Sequence, residues 1–363
     1  MKILIIYSEI SWDFLDQRHH HLARYAVKNG FKVEFVQRVV SRVPNFKDLY
    51  SITKKFFFSK NNLQKHKDVP PQLILRKSIF LPPTLFFSGI YNWLVWFFYE
   101  RYRQKNAIVY SFVNNPHLIG GRYPIYAKYR IAAFDVIHNW WEFLWQKDQH
   151  KKIIKKSLDC YQKLITDSPE IVKRIERNGF ESYLMLPGIE RGWIDISSKE
   201  SYLKPVFYGN LRSNSDLNLI NKFIKEYDMH LIGLIDDTVI NDLESYKYLG
   251  KKNKEELLIC MKTYNIIILP YNNDEFSKTI SPAKYFEALA TGSLVVTCAD
   301  MSHLPGFKEF VMRIDLNSQN FSKNIEEAFF QHIHKRDAQV KFASSHLWDE
   351  KFKDLFIYLE KIN

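Results

Sequence analysis

Cysteine is scarce in this chain of 363 residues: only Cys160, Cys260 and Cys298 occur, far apart and odd in number. That usage excludes a disulfide framework and a cysteine-based metal site, and it points to a reducing compartment. Long apolar runs are missing too. A membrane-spanning helix needs roughly 18 to 20 apolar residues. The nearest approach, 81–99, is interrupted by Pro82, Pro83, Ser88, Gly89 and Asn92. The opening MKILIIYS lacks a signal peptide's cleavage region and reads instead as a first buried strand. No nucleic-acid-binding motif is present, so nucleic acid is not an expected partner. There is no low-complexity tract, and no internal repeat beyond two α/β halves. His19, His20 and His21 are adjacent, but consecutive helical positions point in different directions, so no metal is expected.

What is present suits a globular protein of two domains. Hydrophobic residues make up 46% and charged residues 25%, enough for a full core. The formal charge of +12 directs attention to phosphorylated substrates or anionic lipid. Aromatic residues reach 16%. Many fall in 41–105, the least regular part. There Lys54, Lys55, Lys60, Lys65 and Lys67 alternate with Phe56, Phe57 and Phe58. Phe80, Phe86, Phe87, Trp93, Trp96, Phe97, Phe98 and Tyr99 follow, then Arg101 and Arg103. Two readings stand: a buried helix beside a solvated basic loop, or an interfacial surface. In the second, each Lys or Arg near anionic lipid contributes about 1 kcal/mol.

The opening pattern is strand 2–8, helix 18–28 and strand 31–37, which implies a parallel α/β sheet. The loop after the first strand carries Trp12, Asp13, Arg18 and His20, at the sheet edge where such folds bind ligands. A strand over 130–137 ends at His138 and Asn139. Asp135 and His138 are candidates for a base or for orienting an acceptor hydroxyl; a packed strand end is the other reading. Residues 1–188 are expected as one domain, 189–204 as a polar hinge, 205–344 as a second domain and 345–363 as a terminal helix. The second domain restarts with a strand entering a loop at Tyr208, Gly209 and Asn210. Arg212 there offers a planar fork for a diphosphate. Lys251 lies in a Gly-Lys-Lys turn, and Tyr271 ends a core strand before the polar loop 272–279.

The stretch 279–298, TISPAKYFEALATGSLVVTC, organises the rest. Ser281 reads as an N-cap and Pro282 as the first helical residue. Tyr285, Phe286 and Leu289 continue the helix, Gly292 closes it, and Leu294 to Val296 form a buried strand. A helix opening at a polar loop presents unpaired N–H groups and a positive dipole end, a ready anion site. Lys284 adds a cation and Glu287 a possible sugar contact. A well-capped helix with exposed Lys and Glu is the plainer reading.

The segment SPAKYFEALATGSLVV resembles the nucleotide-binding segment of GT-B glycosyltransferases. It is similar to the family-4-like enzymes that build bacterial surface polysaccharides, with their Pro-x-Lys-x-x-Glu-x-x-Ala-x-Gly run. The resemblance implies two Rossmann-like domains with parallel sheets facing across a cleft, and a terminal helix crossing back. It implies a nucleotide-sugar donor held by Tyr208, Gly209, Asn210, Arg212, Lys251, Tyr271, Thr279, Ser281, Pro282, Ala283, Lys284 and Glu287, with no other cofactor. A glycan or lipid-linked glycan acceptor would meet Trp12, Asp13, Arg18, His20 and Asn139. Catalytic candidates are Asp135, His138 and Glu287. The implied chemistry is metal-independent transfer with retention, on the cytoplasmic side and in peripheral contact with the membrane's inner face. Three departures stand out. The first glutamate of the family's pair falls at Thr279, positions 213–216 supply no lysine, and Pro187 is followed directly by Gly188. They leave room for an inverting enzyme using Asp135 or His138, a catalytically inactive scaffold, or a nucleotide-sugar epimerase.

Overall fold

The computed structural model describes residues 2–41, 43, 68–121, 129–137, 139–141, 147–196, 202–275 and 277–361. His138 and the Lys/Phe cluster of 54–67 lie outside the described residues. The chain forms two compact units, Met1–Met185 with Phe352–Asn363, and Leu186–Lys351.

The first unit holds a seven-stranded sheet in the order β3-β2-β1-β4-β5-β6-β7, with every pairing parallel. The strands are β1 (Lys2–Tyr7), β2 (Phe31–Gln37), β3 (Leu73–Lys77), β4 (Ile108–Ser111), β5 (Ile131–Val136), β6 (Lys163–Thr166) and β7 (Tyr183–Leu184). Helices on both faces bury a central parallel strand completely, so its sequence is apolar throughout. β5, IAAFDV, is buried at all six positions, Asp135 included. Helix α1 (Arg18–Lys28) joins β1 to β2. In 41–105, helix α2 (Ser88–Val95) runs into a π-helical turn, Trp96–Glu100. That turn delivers Glu100 into the core, where Tyr7 donates to it at 2.9 Å and Arg76 pairs with it at 2.5 Å. A buried carboxylate persists only with such partners. Helices α3 (Lys147–Cys160) and α4 (Pro169–Arg177) complete this unit's α/β layers.

The second unit has a six-stranded parallel sheet, β10-β9-β8-β11-β12-β13. Its strands are β8 (Pro205–Leu211), β9 (His230–Ile235), β10 (Lys247–Tyr248), β11 (Ile266–Ile268), β12 (Leu294–Thr297) and β13 (Val311–Arg313). Alternation along them builds two cores. Val206, Tyr208, Ile267 and Val295 pack against helix α7 (Ala283–Ala290). Phe207, Leu211, Ile266 and Val296 pack against helix α5 (Leu217–Tyr227) and a later helix, α8 (Phe321–Ile333). Between α5 and α7, helix α6 (Lys254–Met261) opens with a capping box of Asn253 and Glu256. In the stretch read as a hinge, Ile189, Trp193 and Ile196 are buried in this unit's core.

Helix α9 (Arg336–Ser344) precedes the last helix, α10 (Trp348–Glu360). From Phe352 onward α10 belongs to the first unit. Phe352, Leu355 and Leu359 are fully buried there. Phe356 packs on Phe31, Tyr358 stacks on Tyr183, and Lys2 pairs with Glu360 at 2.9 Å. Among the described residues no helix is long and apolar enough to cross a membrane.

Candidate functional site

In the second unit, β8 and β9 come unusually close through two glycines paired in register, Gly209 and Gly233. Both have positive φ, 125° and 122°. A Cβ on Gly233 would sit 2.1 Å from the Gly209 carbonyl oxygen, and one on Gly209 would sit 1.8 Å from Lys284 Nζ. Only glycine permits both approaches. Lys284 leaves the first turn of α7, crosses Gly209, and places its ammonium 5.7 Å from the Phe207 ring centroid. Burial lowers its pKa, with the nearby Glu287 charge opposing.

Lys284 lines a cavity of about 240 Å³ together with Asn210, Arg212, Asn214, Ser215 and Tyr271. The loop is braced locally: the Arg212 N–H donates to Ser215 Oγ at 3.2 Å, and the Asp216 side chain caps α5 by accepting from the Leu219 N–H. Two cations and three short polar side chains therefore share one wall. Among the described residues, no carboxylate lies within salt-bridge distance of either cation. Asn214 and Ser215 were read in the sequence only as the place of a missing lysine. Their chemistry as amide and hydroxyl was the overlooked signal.

Glu287 sits one turn along α7, behind Tyr208, whose hydroxyl donates to its Oε2 at 3.3 Å. Burial pushes the Glu287 carboxyl up to about 7 against the lowering pull of Lys284. Trp193 stacks on Tyr208 with ring centroids 5.4 Å apart.

The start of α7 corrects one expectation. Ala283 is its first residue, Pro282 occupies the N-cap position, and no side chain caps it. Pro282 has extended backbone with ψ of 135°, so the helix cannot begin one residue earlier. Ser281 Oγ is buried without a hydrogen-bond partner instead of capping. Thr279 is buried in a short 3-10 turn, Ser277–Thr279. Of α7 only Lys284 reaches the cavity wall, and Lys251 is exposed away from it.

The first unit corrects more. Asp135 is fully buried, and its carboxylate is taken up by Arg18 Nε at 2.8 Å, Arg18 Nη2 at 3.1 Å and the Tyr110 hydroxyl at 2.6 Å. Arg18 also donates to the Met185 carbonyl at 2.6 Å. Neither the expected base nor the expected acceptor contact is exposed. Both belong to an interior ion pair, and burial beside Asp135 pushes the Tyr110 hydroxyl well up. Trp12 is fully buried against Phe35 and His20. His20 is buried as well. It accepts from the Gln17 N–H at Nδ1, which leaves Nε2 to donate to the Ser11 carbonyl at 3.1 Å. Its neighbour His19 turns to Ser8 at 2.8 Å and stacks on Phe112, so the histidines diverge. Asn139 accepts from Arg174 at 3.3 Å, and Asp13 is half-buried in the loop after β1.

No protein-family model matches the chain. No curated protein matches it in sequence. Solved structures do. The Anabaena protein HepE, solved with UDP and glucose, superposes over the whole of both chains with a TM-score of 0.64 at 13% identity. The fold is GT-B. Other GT-B structures agree: an E. coli trehalose-6-phosphate protein bound to UDP-2-fluoro glucose gives 0.63 at 9% identity, again over both whole chains. WaaG, a glycosyltransferase involved in lipopolysaccharide biosynthesis, gives 0.62 at 10%, covering 99% of this chain and 100% of its own. At such identities the likeness speaks for the GT-B architecture, and chemistry must come from the site.

Proposed function

We propose that this GT-B protein is a glycosyltransferase that moves a sugar from a nucleotide diphosphate donor to a glycan or lipid-linked glycan in surface polysaccharide synthesis. One observation carries the reading: Lys284 and Arg212 converge on a single cavity, and among the described residues no carboxylate lies within salt-bridge distance of either. A diphosphate supplies the missing charge, Arg212 binding it through its fork and Lys284 as a point charge. Uridine diphosphate is the first nucleotide to try, because HepE and the E. coli structure hold UDP and a UDP-sugar.

In the transfer, the acceptor oxygen bonds to the anomeric carbon on the face that the diphosphate leaves, as the bond from that carbon to the diphosphate breaks and the hydroxyl proton passes to the departing phosphate oxygen. Negative charge then grows on the leaving phosphate. The two cations stabilise it there without a metal. Glu287, protonated or ionised near neutrality, exchanges hydrogen bonds with Tyr208 and with sugar or ribose hydroxyls. We assign retention of configuration from the likeness of 281–296 to retaining enzymes. The exposed Phe86, Phe87, Tyr91, Phe98 and Tyr99, on and beside α2, and the +12 charge support peripheral contact with anionic lipid on the cytoplasmic face.

The test is a thermal-shift screen with UDP, GDP, dTDP and CMP, since a ligand of the folded state raises its stability. A shift with one nucleotide, abolished in Lys284→Ala, is expected. No shift with any of them would leave a scaffold. Turnover of donor without acceptor would indicate an epimerase. The product's anomeric configuration by NMR decides between retention and inversion, and loss of transfer with EDTA would refute metal independence.

A further inference from the structure

A larger cavity, about 440 Å³, lies within the first unit between α2, the 3-10 turn Pro116–Ile119 and α3. Its walls are mainly apolar, with Ile90, Trp93 and Pro116 prominent. Its volume is that of an ordinary ligand site, roughly 300–1,000 Å³. Rigid packing holds it open. Gly120, with φ of 90°, lies against the Trp96 ring, where a Cβ would come within 2.7 Å. Trp96 in turn donates to Gln104, which bonds Tyr7 and the Leu118 carbonyl.

Two polar features mark the cavity. His117 Nδ1 is buried and makes no hydrogen bond. Burial and the Lys156 charge lower that imidazole to about 4, so it is neutral in the cell's pH range. Lys156, exposed on α3, supplies a cation at the rim. At the mouth Ile90 is 73% exposed; Phe87 at 73% and Phe86 at 93% stand three and four positions before it, and Phe98 at 63% is exposed further along the chain. Several large exposed apolar residues within a dozen positions mark an interaction site more often than scattered single ones do.

We propose that this cavity receives the hydrocarbon chain of an anionic amphiphile whose phosphate head rests on Lys156. A sugar would need several convergent polar partners, and among the described residues the wall offers chiefly His117 and Lys156. A neutral hydrocarbon would leave Lys156 unused. Ile90 both lines the cavity and is exposed outside it, so a hydrocarbon chain seated in the cavity leaves it over that side chain. The site lies in a different unit from the diphosphate cavity and binds its ligand whether or not a nucleotide is present.

The experiment titrates the full chain with dodecyl phosphate below its micellar concentration, by calorimetry. Saturable binding to one site is expected, with none for inorganic phosphate. Gly89 faces the cavity with 3.8 Å of clearance to His117 for a Cβ, so Gly89→Leu fills the space without a backbone clash. It should weaken dodecyl phosphate at least tenfold, while its unfolding midpoint and its thermal response to UDP stay those of the wild type. Lys156→Gln should weaken dodecyl phosphate threefold or more and leave dodecanol unaffected. Absence of saturable binding, or wild-type affinity in a folded Gly89→Leu protein, would overturn the assignment. Equal affinities for dodecyl phosphate in Lys156→Gln and wild type would overturn the headgroup position.

Discussion

Replacing Glu287 by Gln should change how stability depends on pH. The free carboxyl titrates at an ordinary 4.5, and the folded one at about 7. At 1.36 kcal/mol per pH unit that gap corresponds to about 3 kcal/mol as an upper figure. The sign follows from which state holds the proton. Between those values the folded protein keeps a proton that the unfolded chain has released, so folding becomes less favourable as pH rises. The contribution is fully present below 4.5 and is lost as pH climbs through 7. Gln retains the shape and the hydrogen bond with Tyr208 but cannot ionise. The stability of Glu287→Gln relative to wild type should therefore grow by up to about 3 kcal/mol between pH 5 and pH 8. Urea unfolding followed by tryptophan fluorescence is the assay, with Trp193 stacked on Tyr208 beside the carboxyl. Parallel pH profiles for the two proteins would refute the burial argument.

Further outcomes follow from the same geometry. Lys284→Met should lower transfer tenfold or more, roughly 1.4 kcal/mol in transition-state terms, measured as kcat/KM with the donor found in the nucleotide screen. Gly209→Ala forces a strained positive φ at about 1–3 kcal/mol and pushes the lysine amine off its path. Calorimetry should show weaker nucleotide binding with the fold intact, and unchanged affinity would sink the link between glycine and lysine. Asp135→Asn leaves Arg18 charged and buried, so urea unfolding should show a loss of about 3–5 kcal/mol. The double change Arg18→Met with Asp135→Leu should be less damaging than the single one.

Much of the scaffold was legible because its signals are local. Helix 18–28 and strand 31–37 appear at the expected bounds, set by apolar runs and by turn residues such as Gly30. The region 68–105 was opaque for physical reasons. β3 is an edge strand with Ile74 exposed, so it lacks clean alternation. After α2 the π-helical turn adds a residue and shifts the register, scattering aromatics over buried and exposed faces alike. At the site, Lys284, Arg212, Asn210 and Tyr271 could be named from sequence, since each lies at a strand end or helix start. Asp135 could not be read correctly. Its partner Arg18 stands 117 positions earlier, and periodicity carries no information about so distant a pair.

The last two and a half turns of α10 have a consequence for how this protein is made and dissected. Phe352, Leu355 and Leu359 complete the interior of the unit that contains the first strand. A fragment cut after Met185 would be missing part of its own centre, and deleting residues 352–360 would injure the unit that holds β1 to β7. On the ribosome, that unit must wait for residues 352–360 to emerge before it can close.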